Sequence, residues 1–255
     1  MIAIEVCVHS KNDSYVSNAV SGAWQGGAER IELCSHMEQD GLTPCVRHIE
    51  LAREAFKDRP GLLVMIRPAG GDFFFSRNEI DLMERQIVDA ARAGADGVVI
   101  GVLDKNTSLI HQDYCRRLIE RARDYELSVT FHRAFDATFN ATFNATFNAR
   151  ADWKYSLEAL VELGVDRVLS SGISWGNSGT ALDGIGRLID MGRFVSGKLE
   201  VVVGGGVSLD NASMILESLQ PVMTDFSLHT YSAMLEDGRV SSEKVRRLKS
   251  LLAHE

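Results

Sequence analysis

Short β-branched runs alternate with amphipathic segments eight times along this chain, and few folds accept that rhythm. The runs that read as strands are Ile2–Val8, Arg30–Ser35, Leu62–Pro68, Gly97–Leu103, Ser128–Ala134, Arg167–Gly172, Leu199–Gly206 and Met223–Thr230. Between and after them, helical periodicity covers Ser14–Trp24, Val46–Phe56, Glu79–Ala93, Asp113–Tyr125, Asp152–Leu163, Ala181–Met191, Asn211–Leu219 and Ser242–Leu252. Eight strand-then-helix units in 255 residues is the length of a closed barrel. The expected fold class is therefore α/β, a single-domain (β/α)8 TIM barrel over residues 1–255; a doubly wound open sheet usually needs fewer strands. Three near-copies of one helix-to-strand turn support the repeat: Gly26-Gly27-Ala28-Glu29-Arg30, Gly94-Ala95-Asp96-Gly97 and Gly164-Val165-Asp166-Arg167.

One segment breaks the rhythm. Ala137-Thr138-Phe139-Asn140 recurs as 141–144 and 145–148, a perfect tandem tetrapeptide after the fifth strand. Its period fits neither a strand face nor a helix face, so residues 137–149 read as an inserted loop.

Side-chain parity then sorts each strand. If Ile4, Val6 and Val8 pack on the helices, Glu5, Cys7 and His9 face the barrel axis. By the same rule Glu32 and Cys34, Met65 and Arg67, and Thr130 and His132 point inward. Glu5, Glu32, Arg67 and His132 are thus expected to crowd one end of the barrel. Buried charges must neutralise one another, reach water or await a ligand. Both a structural ion-pair network and a site remain open, and the C-terminal mouth of a barrel favours the site. As an enzyme, the chain would use Glu5 or Glu32 as general base, His132 as acid and Arg67 as anion clamp on a small anionic metabolite.

Glycines and carboxylates add to the same rim. Gly204, Gly205 and Gly206 end the seventh strand just before a helix, where barrels commonly bind phosphate. Ser171 closes the sixth strand, and Asp72, Asp104 and Asp136 follow the third, fourth and fifth. All seven are candidate ligand-binding residues.

The global figures exclude several classes. A formal net charge of −8 without a basic stripe argues against nucleic acid and anionic membranes. No apolar run approaches membrane-spanning length, and the first residues read as a strand and not a leader. Cys7, Cys34, Cys45 and Cys115 show no CxxC pair, which points to a reducing, cytoplasmic setting. Cysteine is often a small buried hydrophobe; the expected adjacency of Cys7 and Cys34 is what raises a metal reading.

Taken in order, Ile31–Cys34, Gly41-Leu42-Thr43-Pro44, Met65–Phe73, 96–103, Thr130–Asp136, 166–172 and Gly204–Gly206 resemble the CutC copper homeostasis family, from residue 1 to about residue 230. The resemblance implies a cytoplasmic TIM barrel, a homodimer or homotetramer, that handles copper by binding Cu(I). The soft ion would take soft thiolates from Cys7 and Cys34, with His9 or His132 as possible further ligands. Two departures stand out: Ala69 occupies a position where the family carries arginine, and Phe226–Thr230 differs from the family's histidine, small residue and serine.

Overall fold

Parallel strands joined by helices either leave two edges or close on themselves, and here they close. The computed structural model describes residues 2–140 and 153–253. Its strands are β1 (Ala3–His9), β2 (Arg30–Cys34), β3 (Leu62–Met65), β4 (Gly97–Ile100), β5 (Ser128–Phe131), β6 (Arg167–Ser170), β7 (Glu200–Val203) and β8 (Phe226–Thr230). They hydrogen-bond in sequence order, and β8 pairs back onto β1, completing a parallel barrel. The intervening helices are α1 (Asp13–Gln25), α2 (Val46–Phe56), α3 (Arg77–Arg92), α4 (Gln112–Arg123), α5 (Ala134–Ala137), α6 (Trp153–Glu162), α7 (Ile185–Val195) and α8 (Ala212–Leu219), with α9 (Ser242–Leu251) closing the chain. This is the (β/α)8 architecture that the alternation dictates.

Local signals start and stop these elements. Ser76 and Glu79 form a reciprocal capping box at the start of α3, satisfying N–H groups that the helix itself leaves open. In the repeated turn the glycines Gly27, Gly94 and Gly164 take positive φ, which a residue with a Cβ would resist. The acid of each turn then reaches back one strand. Glu29 accepts from Ile4 N at 2.9 Å, Asp96 from Leu62 N at 2.8 Å and Asp166 from Val129 N at 2.6 Å. The turn is thus a repeated clasp at the N-terminal end of β1, β3 and β5.

Parity separates two buried layers. Ile4, Val6, Val8, Ile31, Leu33, Val64, Val98, Val129, Val168 and Val201 pack outward against the helices in the main core. Inside the barrel a small second cluster gathers Cys7, Cys34, Leu63, Met65 and Val99.

Three features go beyond the periodicity. Six of the strands leave the ladder earlier than the apolar runs do, β3 ending at Met65 and not at Pro68, whereas β1 runs on to His9 and β8 ends at Thr230 as expected. The short α5 follows β5 directly, and a two-residue hairpin, β9 (Leu235–Glu236) with β10 (Arg239–Val240), precedes α9. Of residues 137–149, expected as an inserted loop, Ala137 ends α5 and Thr138–Asn140 form a 3-10 turn, and 141–149 lie outside the described residues.

Candidate functional site

Strand register decides which inward groups meet. In the β1–β2 ladder Cys7 lies opposite Glu32, and Glu5 opposite Arg30; in the β1–β8 ladder Glu5 lies opposite His229. Three sulfur atoms come together at the upper level. Cys7 Sγ is 3.9 Å from Cys34 Sγ and 3.9 Å from Met37 Sδ. Met37 arrives from a one-turn 3-10 segment, Met37–Gln39, flanked by His36 and Asp40 at φ 45° and 61°. Such left-handed residues cost on the order of 1–3 kcal/mol each, so the loop must be held by its surroundings. Ser35 and Leu42 exchange backbone hydrogen bonds of 2.8 Å across its neck. Gly41, at φ 86°, leaves just enough room beside Cys34, whose Sγ would be 3.4 Å from an added Cβ.

Beneath the sulfurs, His229 Nε2 lies 2.8 Å from Glu32 Oε2. The ligand atoms of Cys7, Glu32 and Cys34 all lie within 4.8 Å of one another, and so do those of Glu5, Glu32 and His229. Burial works against the His229 imidazolium, but the Glu32 charge, with hydrogen bonds that the ring shares with Cys7 and gives to Glu32, lifts its pKa well above the ordinary value. The same pairing holds Glu32 below the usual carboxylate range despite its own burial. Hydrogen bonding with Cys7, burial and the nearby Glu32 charge push the Cys34 thiol well up.

A cavity of about 290 Å³ opens at this end of the barrel, lined by Cys7, Glu32, Cys34, Met37, Arg67, Phe73, His132 and Trp175 among others. Arg67 is 1 % exposed and gives its Nη groups to three carbonyls: Gln39 at 2.7 Å, Gly41 at 3.2 Å and Gly71 at 2.9 Å. Burial lowers its pKa. His132 packs its ring against Gly101, where a Cβ would sit 2.3 Å from Cε1. Its Nδ1 accepts from Ala134 N at 3.1 Å, and burial together with the Arg67 charge lowers its pKa to about 3. The imidazole is therefore neutral, with its proton on Nε2.

The remaining sequence candidates are placed differently. Glu5 is fully buried a level below the cavity and does not line it, because the stagger between strands sets it beside Arg30. Arg30 Nε lies 3.0 Å from Glu5 Oε2 without an N–H aimed at it, and Arg30 Nη2 lies 2.6 Å from Glu200 Oε1. Burial raises the Glu5 pKa against the pull of Arg30. The four charged groups expected at one end are thus split, with Glu5 in an ion network deeper in the barrel.

Asp136 spends both oxygens on Ser170 Oγ, Ser171 N and Oγ, and Arg133 Nε, at 2.5–3.1 Å. It and Ser171 thereby fix Arg133, whose guanidinium sits 5.2 Å above the Trp175 ring at the cavity wall. Asp104 Oδ1 caps its own loop through Asn106 N, Thr107 N and Thr107 Oγ1, and exposed Asp72 accepts from Phe74 N; neither lines the cavity. Gly205 and Gly206 do line it, both at positive φ. Packing alone accounts for all three glycines: an added Cβ would meet Leu169 at 2.6 Å from Gly204, Ser171 at 2.8 Å from Gly205 and Thr180 at 2.9 Å from Gly206.

His9 is outside the cavity as well. Parity reasoning stopped short of several lining residues, His229 and Met37 among them. His229 follows from the rule already used, since Phe226 and Leu228 face the outer core. Met37 carries no periodic signal, because it belongs to an irregular loop.

Comparison with known proteins places the chain in a lineage. A sequence profile described as the CutC family matches residues 2–223. A family protein CutC of Aliivibrio fischeri is 38% identical over 216 residues, covering 85% of this chain and 77% of that protein. The copper homeostasis protein cutC homolog of Caenorhabditis elegans is 32% identical over 265 residues, covering 99% and 96%. Among solved structures, CutC from Streptococcus agalactiae superposes with a TM-score of 0.72 at 26% identity, covering 94% of this chain and all, 100%, of that one. A deoxyribose phosphate aldolase from Aeropyrum pernix, at TM-score 0.61 and 16% identity with coverage of 98% and 89%, shares the fold alone.

Proposed function

This chain belongs to the CutC family, and on that premise we propose that it serves copper homeostasis by holding Cu(I) among Cys7, Cys34 and Met37. The observation that carries the reading is the convergence of three soft sulfur donors, each 3.9 Å from Cys7 Sγ or belonging to it, from three separate segments of chain. Thiolate and thioether ligands select Cu(I) over harder ions, and all three residues border the same cavity. Thiols must lose their protons to bind metal. The Glu32–His229 pair, in hydrogen-bonding contact with Cys7, is the polar neighbour able to compensate that change of charge. Its oxygens and nitrogen are harder donors, so we assign them to orienting the thiols and not to the ion itself.

Free, unbridged cysteines suit a reducing cytoplasm, where copper is monovalent. Among the described residues no helix is long and apolar enough to cross a membrane.

Anaerobic Cu(I) titration against a competing chelator tests the proposal. The tight phase should vanish in the Cys7→Ser, Cys34→Ser double variant. Unchanged affinity in that variant would remove both thiols from the site.

A further inference from the structure

The lining of the cavity holds two polar groups besides the sulfur donors and the Glu32–His229 pair. Arg67 is buried to 1 % exposure, and among the described residues no carboxylate lies within ion-pair distance of it. The acids that act on it at longer range, Asp40 and Asp72, are both exposed. Its Nη groups are committed to carbonyls, while Nε has no hydrogen-bond partner. His132, 4 % exposed, is in the same condition: Nδ1 is taken by Ala134 N, and Nε2 has no partner. Both pack against one aromatic ring. Arg67 Cζ is 5.1 Å from the centre of the Phe73 ring, and the His132 ring centre is 5.2 Å from it. A buried cation without a counter-charge and two idle N–H donors beside one cavity are expensive unless something occupies them.

The geometry points to an oxyanion subsite between Arg67 Nε and His132 Nε2, which takes the carboxylate or phosphate end of a small organic anion. One N–H donor for each of two oxygens, with a guanidinium behind, is the recognition chemistry such groups require. Met65, Leu169 and Trp175 also line the cavity, so part of the ligand's body meets apolar side chains, and about 290 Å³ limits it to a small molecule. Arg133 also borders the cavity, but Asp136 already neutralises it. The subsite goes beyond the copper proposal and does not depend on it, because its residues are distinct from the sulfur donors.

The test uses the full-length, metal-free chain with sodium acetate and inorganic phosphate as probes, against sodium chloride at matched ionic strength. Thermal midpoint is followed alongside the 15N shift of His132 Nε2. Acetate, phosphate or both should raise the midpoint saturably and move that resonance; the arm that responds identifies a carboxylate or a phosphate ligand. His132→Asn supplies the decisive comparison, since its Oδ1 can still accept from Ala134 N while the outward donor is lost. The apparent anion affinity should drop at least about tenfold in that variant. Arg67→Met should drop it too, and the asparagine variant keeps the test valid if loss of the three carbonyl contacts unfolds the methionine variant. No saturable response to either anion would overturn the proposal. A response of equal size in wild type and His132→Asn would also overturn it, marking an adventitious ion only.

Discussion

Acidification should destabilise this protein through His132 more than through any comparable surface group. In the fold its pKa is about 3, because burial and the neighbouring Arg67 charge both oppose the imidazolium; in the unfolded chain it returns to 6.5. Below pH 6.5 the unfolded state therefore binds a proton that the native state refuses, so stability is complete above that pH and falls as pH drops toward 3. Each pH unit within the window costs about 1.4 kcal/mol, which gives roughly 2 kcal/mol at pH 5 and roughly 5 kcal/mol by pH 3. A domain has only about 5–15 kcal/mol in total, so the effect is large enough to measure. Equilibrium urea unfolding at pH 7.5, 6 and 5, on wild type and His132→Asn, isolates it, because every other titrating group is common to both. The stability difference should shift by about 2 kcal/mol in the variant's favour between the ends of that series. A constant difference, or a His132 ring resonance in the folded protein that titrates near pH 6.5, would refute the reasoning.

Four further outcomes follow from the same geometry. Met37→Leu should weaken Cu(I) binding about tenfold by the chelator assay while changing stability by less than about 1.5 kcal/mol, since volume is kept and only a weak sulfur ligand is lost. Apparent Cu(I) affinity should climb with pH from 6.5 to 8.5, because the Cys34 thiol, pushed well above its ordinary pKa, must give up its proton to the metal; a flat profile would contradict its place as a ligand. Arg30→Met should cost about 3–5 kcal/mol in chemical denaturation, as it strands Glu5 and Glu200 in the barrel interior without their shared cation. Gly101→Ala should cost about 1–3 kcal/mol, because its Cβ would sit 2.3 Å from His132 Cε1; the displaced ring should also blunt the response to anions.

Much of the site can be read from residue order because a strand's side chains alternate. Once Ile4, Val6 and Val8 are given to the helices, Cys7 has to face inward, and the same logic places Cys34, Glu32, Arg67 and His132 on the cavity. It extends to His229, one residue past Leu228. Parity says nothing of depth. Glu5 and Cys7 share a face, yet the stagger of neighbouring strands sets one beside Arg30 and the other beside Glu32, and this separates a structural ion network from the cavity. Nor does residue type show how a polar group is spent. Asp136 and Ser171 look like rim ligands until their hydrogen bonds are seen to close on each other and on Arg133.

The chain's own pattern of apolar and polar residues, with glycines at the turns, fixed the eightfold alternation and the inward face of each strand, since both depend on periods of two and 3.6 residues that local sequence carries. Tertiary structure alone decided the level at which each inward group sits and brought Met37 to Cys7. It also left Arg67 and His132 with donors unspent. Those outcomes depend on interstrand register and on an irregular loop folding back over the barrel, and such long-range relations have no signature in the spacing of residues along one strand.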